Sequence, residues 1–231
     1  LQASEPATFA AWQRSMANCT ADAIFILGDL FEVWVGDDAV QADPAGFDGA
    51  CVQVLRDTAR QRPVFFMHGN RDFLVGRACL DACGVTFLPD PTVLQFAGQR
   101  WLLSHGDALC LDDVDYLQFR AVVRSPQWQQ DFLAKPLAER QHIARGIRSQ
   151  SESRKRSGVP YADVDTAAAL AWLQAAQATT LIHGHTHRPA QHDLGNGLWR
   201  WVMTDWDASA QPARGEWLGL SAAGVQRVPL A

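Results

Sequence analysis

The chain has 231 residues, 48% of them hydrophobic and 19% charged, with a formal charge of -5. That length suffices for one large domain with a substantial core, and the balance is ordinary for a soluble enzyme. The negative charge argues against a general nucleic-acid binder, though not against a local basic patch, and no apolar run approaches the ~18–20 residues of a bilayer span. The cysteines, Cys19, Cys51, Cys79, Cys83 and Cys110, include no Cys-x-x-Cys pair and are odd in number. A reduced, cytoplasmic setting is therefore expected, with Cys79 and Cys83 as small packed residues on one helix face.

In chain order, residues 5–17 are predicted to be helical, with Pro6 in the first turn and Phe9, Trp12 and Met16 on one side. Residues 23–27 read as a buried strand that stops at Gly28-Asp29, followed by an aromatic and acidic loop over 31–38. A helix over 46–61 leads to a strand at 63–67, which runs into His68-Gly69-Asn70-Arg71-Asp72. A helix over 75–83 follows, then strands at 85–88, 92–96 and 99–104, the last running into His105-Gly106-Asp107. Residues from about 113 to 160 are polar, helical in pattern and interrupted by Pro126 and Pro136. They read as a helical insertion over the core within a single domain spanning 1–231. A helix over 163–177 precedes a strand at 178–182 that ends in His183-Gly184-His185-Thr186-His187, and short strands near 198–204, 216–220 and 225–228 close the chain. Alternating helices and strands early, with strands dominating late, predict an α/β sandwich of two mixed sheets flanked by helices.

Four apolar strands thus end in a group able to bind a ligand: Asp29, Asn70, His105, and the pair His185 and His187. An aspartate after glycine is by itself usually a turn residue, and a lone histidine at a strand end is usually just hydrogen-bonded. Four such ends, mixing carboxylate, amide and imidazole, point instead to a metal centre at the carboxyl ends of the strands. Oxygen and imidazole donors without thiolate suit Mn, Fe, Co or Zn. A carboxylate such as Asp29 can bridge two ions, and a two-ion site favours in-line attack of hydroxide on phosphorus.

These residues carry a family resemblance. Gly28-Asp29, Gly69-Asn70, His105 and Gly184-His185-Thr186-His187 resemble the signature blocks of calcineurin-like metallophosphoesterases. The longer words Gly28-Asp29-Leu30-Phe31-Glu32-x-Trp34-x-Gly36-Asp37-Asp38, Gly69-Asn70-Arg71-Asp72-Phe73, Ser104-His105-Gly106-Asp107 and His183-Gly184-His185-Thr186-His187-Arg188-Pro189 are similar to the UDP-2,3-diacylglucosamine pyrophosphatases of lipid A biosynthesis. The resemblance implies two Mn2+ ions bridged by Asp29, with Asn70, His105, His185 and His187 as further ligands. It implies substrate contacts from Asn70, Arg71, Asp113 and His185, and from Ser151, Lys155 and Arg156 of the insertion. The reaction it implies is attack on the α-phosphate of UDP-2,3-diacylglucosamine, giving UMP and 2,3-diacylglucosamine 1-phosphate. It further implies a peripheral position on the cytoplasmic face of the inner membrane, with no nucleic acid and no obligate protein partner.

In the same family the first strand ends in Asp-x-His-Leu. That word is absent here, and Leu1 falls just after its histidine, so the chain is expected to be a fragment without the first strand. The basic run of Arg140, Arg145, Arg148, Arg154, Lys155 and Arg156 reads either as a solvated helical face or as a surface toward a diphosphate and anionic lipid. The insertion's Phe119, Val122, Trp128, Phe132, Leu133 and Ile143 read either as a cover for acyl chains or as the seam of a helical hairpin. Asp37 and Asp107 are expected to orient imidazoles. Two alternatives remain on sequence alone: a broader metallophosphoesterase acting on nucleotides, and a non-catalytic scaffold that keeps the fold.

Arg71 bears on the reaction type. The wider superfamily has a histidine here that can protonate a leaving alkoxide, whereas arginine stays charged and can only hold phosphate oxygens. A phosphate leaving group needs little acid help, so Arg71 fits pyrophosphate cleavage, unless it is a structural partner of Asp72 or Asp37. Arg71→His is expected to reduce UMP release in a coupled assay, and unchanged release would contradict the argument.

Overall fold

The first sheet is three short parallel strands, β1 (Ile24–Ile26), β2 (Val64–Met67) and β3 (Thr86–Leu88), paired in that order. The structure, a computed structural model, describes residues 1–156 and 162–230, with side chains described for all of these except 150–156. The second sheet holds β4 (Thr92–Phe96), β5 (Gln99–Ser104), β6 (Thr180–His183), β7 (Ala190–Gly195) and β8 (Leu198–Val202) in the order β4-β5-β6-β8-β7. Its three central strands are parallel, and the edge strands β4 and β7 run antiparallel to them. A hairpin of β9 (Glu216–Ser221) and β10 (Gly224–Pro229) packs beside it.

Parallel strands require crossover connections; helices supply them from β1 to β2, from β2 to β3 and from β5 to β6, and the edge strand β7 lies in the one from β6 to β8. The chain forms α1 (Pro6–Asn18), α2 (Asp38–Ala42), α3 (Phe47–Ala59), α4 (Arg77–Cys83), α5 (Val114–Val123), α6 (Pro126–Leu133), α7 (Leu137–Arg156) and α8 (Thr166–Ala176). In α3 the buried residues Cys51, Val52, Leu55 and Thr58 recur at helical spacing, so one stripe faces the first sheet. Three apolar clusters define the layers. One joins Trp12 and Leu55 of the helices to Val64 and Phe66. A second, between the sheets, joins Leu27 and Met67 to Trp101, Leu103 and Ile182. The third joins Leu102 and Leu181 to Leu173 of α8. The result is helix, sheet, sheet, helix, as the sequence pattern predicts.

Helices α5 to α7 occupy the predicted insertion. Ser125 caps α6, accepting from Trp128 N at 3.3 Å with Pro126 in the first turn. The ring of Trp128 stacks on Phe132 at 4.7 Å and meets Phe73 at 6.2 Å, so these two residues and Ile143 pack onto the first cluster. Phe119, Val122 and Leu133 are exposed. The insertion is therefore a packing seam on one side and an apolar surface on the other.

The structure corrects the sequence reading at several points. Arg140 is no part of a solvated face: it is 2% exposed, donating to the Val35 carbonyl and pairing with Asp38. Strand β7 was not expected, because Ala-Gln-His-Asp-Leu-Gly lacks the apolar alternation that marks a half-buried strand. The short α2 was likewise not expected.

Losing Arg140 would leave the Val35 carbonyl, on a buried residue, without its donor. Arg140→Met is expected to lower stability by about 1–3 kcal/mol in urea unfolding. Asp38 is 53% exposed, so Asp38→Asn should cost less than about 1 kcal/mol. Equal losses would contradict the assignment.

Candidate metal centre and active site

The ends of β1 and β2 approach so closely that only glycine fits. A Cβ on Gly28 would lie 2.5 Å from the Gly69 Cα and 2.7 Å from His105 Nδ1, and a Cβ on Gly69 would lie 2.1 Å from Asp29 Oδ1. Asp29 itself is in the left-handed region, at φ 56°, a conformation that costs a non-glycine residue energy and is held by its surroundings. The closeness lets Arg71 N donate to Asp29 Oδ1 at 2.9 Å, fixing the carboxylate. Asp72, fully buried, ties the same two loops together: it accepts from Gly69 N at 2.8 Å on one oxygen and from Leu30 N at 2.8 Å on the other.

A further candidate donor comes from the end of β5. His105 is 1% exposed, and its Nδ1 donates to the Leu27 carbonyl at 2.8 Å. That bond assigns the proton to Nδ1 and leaves Nε2 with a lone pair facing the site. Asn70 Oδ1 lies 3.0 Å from this Nε2 and 2.8 Å from His185 Nδ1, and Asp29 Oδ2 lies 3.6 Å from Nε2. Among the described residues, Asp29, His105 and His185 form a cluster whose donor atoms all lie within 4.8 Å of one another. Lone-pair atoms so arranged repel unless a proton or metal cation sits among them. The donor set therefore fits a divalent ion, and its chemistry of carboxylate, amide and imidazole suits a first-row transition metal.

Electrostatics agree. Burial works against a charge on His105, but Asp29, Asp107 and the Leu27 carbonyl outweigh it and hold its pKa above the ordinary imidazole value. His185 is pushed down to about 4, by burial first and by His105 second. Asp72 is pushed up to about 6, mainly by burial and then by the charge of Asp29. A region that draws protons onto one imidazole also draws a metal cation.

The cluster opens into a cleft of about 900 Å³ between the strand ends and the insertion. Asp29, Asn70, Arg71, Asp113, His185 and His187 all line it. His187, exposed and at φ 52°, lies on the wall outside the compact cluster. Asp113 caps α5, accepting from Tyr116 N at 3.3 Å. The side chains of Ser151, Lys155 and Arg156 lie outside the described residues.

Some sequence expectations resolve differently. Arg71 pairs with Glu32 and not with Asp72 or Asp37, and Arg148 of α7 approaches the same Glu32 at 3.6 Å. Asp37 accepts from Trp34 Nε1 and Gly76 N, shaping the loop after β1. Asp107 binds side chains of α5, while the group that orients His105 is a main-chain carbonyl. His183, fully buried, has its pKa lowered to about 3 by burial and no hydrogen-bond partner on Nε2 among the described residues. Sequence reasoning gave no role to Glu32, none to Asp72 beyond a pairing with Arg71, and none to Tyr116. The first two stand inside the recognised words, which was the available signal.

Asp29 is the carboxylate in the cluster. Asp29→Ala should therefore lower bound metal, measured by elemental analysis after dialysis, together with turnover. A variant with full metal content and no turnover would contradict the ligand assignment.

Comparison with known proteins agrees with the geometry. The calcineurin-like phosphoesterase family matches residues 4–189. The chain is 48% identical over 225 residues to the UDP-2,3-diacylglucosamine hydrolase of Chromobacterium violaceum, covering 96% of this chain and 89% of that protein. It is 44% identical to the protein of that name from Bordetella pertussis, covering 89% and 81%, and 43% identical to the one from Escherichia coli O7:K1, covering 84% and 81%. Strand ends, donor cluster and sequence agree: the chain belongs to the calcineurin-like phosphoesterase family.

Proposed function

We propose that this chain hydrolyses the pyrophosphate bond of UDP-2,3-diacylglucosamine, giving UMP and 2,3-diacylglucosamine 1-phosphate in lipid A biosynthesis. The observation that carries the reading is Arg71 beside the donor cluster: its backbone N–H holds Asp29 at 2.9 Å, and its side chain lines the cleft paired with Glu32. The names of its relatives, at 43–48% identity, support the same substrate.

Divalent ions held by Asp29, Asn70, His105 and His185, with His187 nearby, would supply Lewis-acid charge at the phosphoryl oxygens and a more acidic water. Manganese, two ions per chain, is what the family resemblance implies, and donors of oxygen and imidazole without thiolate are compatible with it. The protein's own share is orientation and charge. A water oxygen bonds to the α-phosphorus, the bond from that phosphorus to the bridging oxygen breaks, and the bridging oxygen leaves on the lipid phosphate, the proton lost by the water passing to solvent or to that departing phosphate. Arg71 holds phosphate oxygens and neutralises charge as it develops, donating hydrogen bonds without losing its proton. Asp113 from the start of α5 and Ser151, Lys155 and Arg156 from α7 complete the substrate contacts in this reading.

In this reading the whole chain acts as one domain, with helices α5 to α7 of the insertion as its cover. Exposed Phe119, Val122 and Leu133 on that cover suit a lipid substrate drawn from the cytoplasmic face of the inner membrane. Among the described residues no helix is long and apolar enough to cross a bilayer.

The test is UMP release from UDP-2,3-diacylglucosamine, set against a panel of cyclic nucleotides and phosphate monoesters. Release from the lipid nucleotide should be fastest, be lost on metal chelation and return with Mn2+. Faster hydrolysis of a monoester or cyclic nucleotide would favour the broader phosphoesterase reading instead.

A further inference from the structure

The first helix of the insertion touches three of the four strand ends that build the metal centre. The contacts run through one buried carboxylate. Asp107, two residues after His105, is fully buried. Its Oδ2 accepts from Tyr116 Oη at 2.5 Å, from Arg120 Nε at 2.8 Å and from Arg124 Nη2 at 3.4 Å, all three on or at the end of α5. Arg124 Nη2 also donates to the Gly69 carbonyl at 2.9 Å, on the residue that precedes Asn70. The Tyr116 ring stacks on His185 at 5.6 Å, with the planes 29° apart. The turns that carry His105 and Asn70, and the His185 ring itself, are thus gripped by α5.

We propose that Asp107 is a positioning residue that couples the helical insertion to the metal centre, so that metal affinity and the docking of α5 depend on each other. It rests on the reading of Asp29, Asn70, His105 and His185 as a metal site. The argument is geometric. A single oxygen gathers three donors from one helix while its own backbone continues the His105 turn. A shift of α5 must therefore move that turn or break charge-assisted hydrogen bonds in a buried setting. Coupling of this kind is reciprocal: whatever the metal does to α5, the docking of α5 does to the metal. Asp107 also has a second oxygen, Oδ1, buried without a hydrogen-bond partner among the described residues. A residue serving only to pin a helix would be expected to use both oxygens.

The experiment uses the full chain, with two readouts: Mn2+ affinity by titration calorimetry, and amide hydrogen exchange over residues 114–123 with and without Mn2+. In the unmodified protein Mn2+ should slow exchange across α5. In Asp107→Asn, Mn2+ should bind roughly tenfold to hundredfold more weakly, as when other groups behind metal ligands are altered, and should no longer slow exchange in α5. Should Asp107→Asn not fold, Tyr116→Phe, which removes one O–H, carries the test, with weaker Mn2+ binding and reduced protection expected. A folded Asp107→Asn or Tyr116→Phe with unmodified affinity and full protection overturns the proposal. So does an unmodified protein that binds Mn2+ with no change in α5 exchange, and the metal reading then stands. An unmodified protein that binds no Mn2+ overturns both.

Discussion

The site depends on one close approach, that of the backbone at Gly28 to the backbone at Gly69. No Cβ fits at either position, since the nearest atoms would be 2.5 Å and 2.1 Å away. Because the two turns touch, Asp29 reaches a backbone N–H of the β2 loop and Asp72 reaches back to N–H groups of the β1 loop. The two carboxylates cross-tie two strand ends that parallel pairing alone would leave about one strand spacing, ~4.8 Å, apart. The inter-sheet core then brings β5 and β6 over the same point, through Leu27 and Met67 on one sheet and Leu103 and Ile182 on the other.

That geometry dictates the electrostatics. The two imidazoles sit 5.1 Å apart at their ring centres, yet their environments push them in opposite directions. Burial strips the proton from His185, while carboxylates and a main-chain carbonyl favour it on His105. With Asn70 Oδ1 lying between the two rings, the lone pairs converge on a place that positive charge stabilises. The left-handed backbone at Asp29 and His185 aims both side chains there at a conformational cost that the packed sheets offset.

Much of this was legible in the sequence because a strand that ends at a candidate donor leaves a local mark. An apolar run stops, a glycine or serine follows, and a donor appears, as at Gly28-Asp29, Gly69-Asn70, Ser104-His105 and Gly184-His185. The layers were legible for the same reason, since burial imposes periodicity. What stayed hidden depends on partners distant in sequence. Asp72 looked like one more acid in a loop, although its bonds reach Leu30 and Phe31, 42 and 41 residues away. Arg140 looked solvated because charge predicts exposure, whereas its partners Val35 and Asp38 are more than 100 residues back. Glu32 could not be matched to Arg71 for the same reason, and β7 had too little apolar alternation to announce itself.

The central claim is that these strand ends hold a cation. Anomalous scattering from crystals grown with Mn2+ tests it most directly. A peak at about 2.0–2.3 Å from Asp29, Asn70 Oδ1 and His105 Nε2 is predicted, with the ring of His105 still bonded to the Leu27 carbonyl. A peak elsewhere in the cleft, or an Asn70 amide turned to present its nitrogen with no peak beside it, would contradict the account.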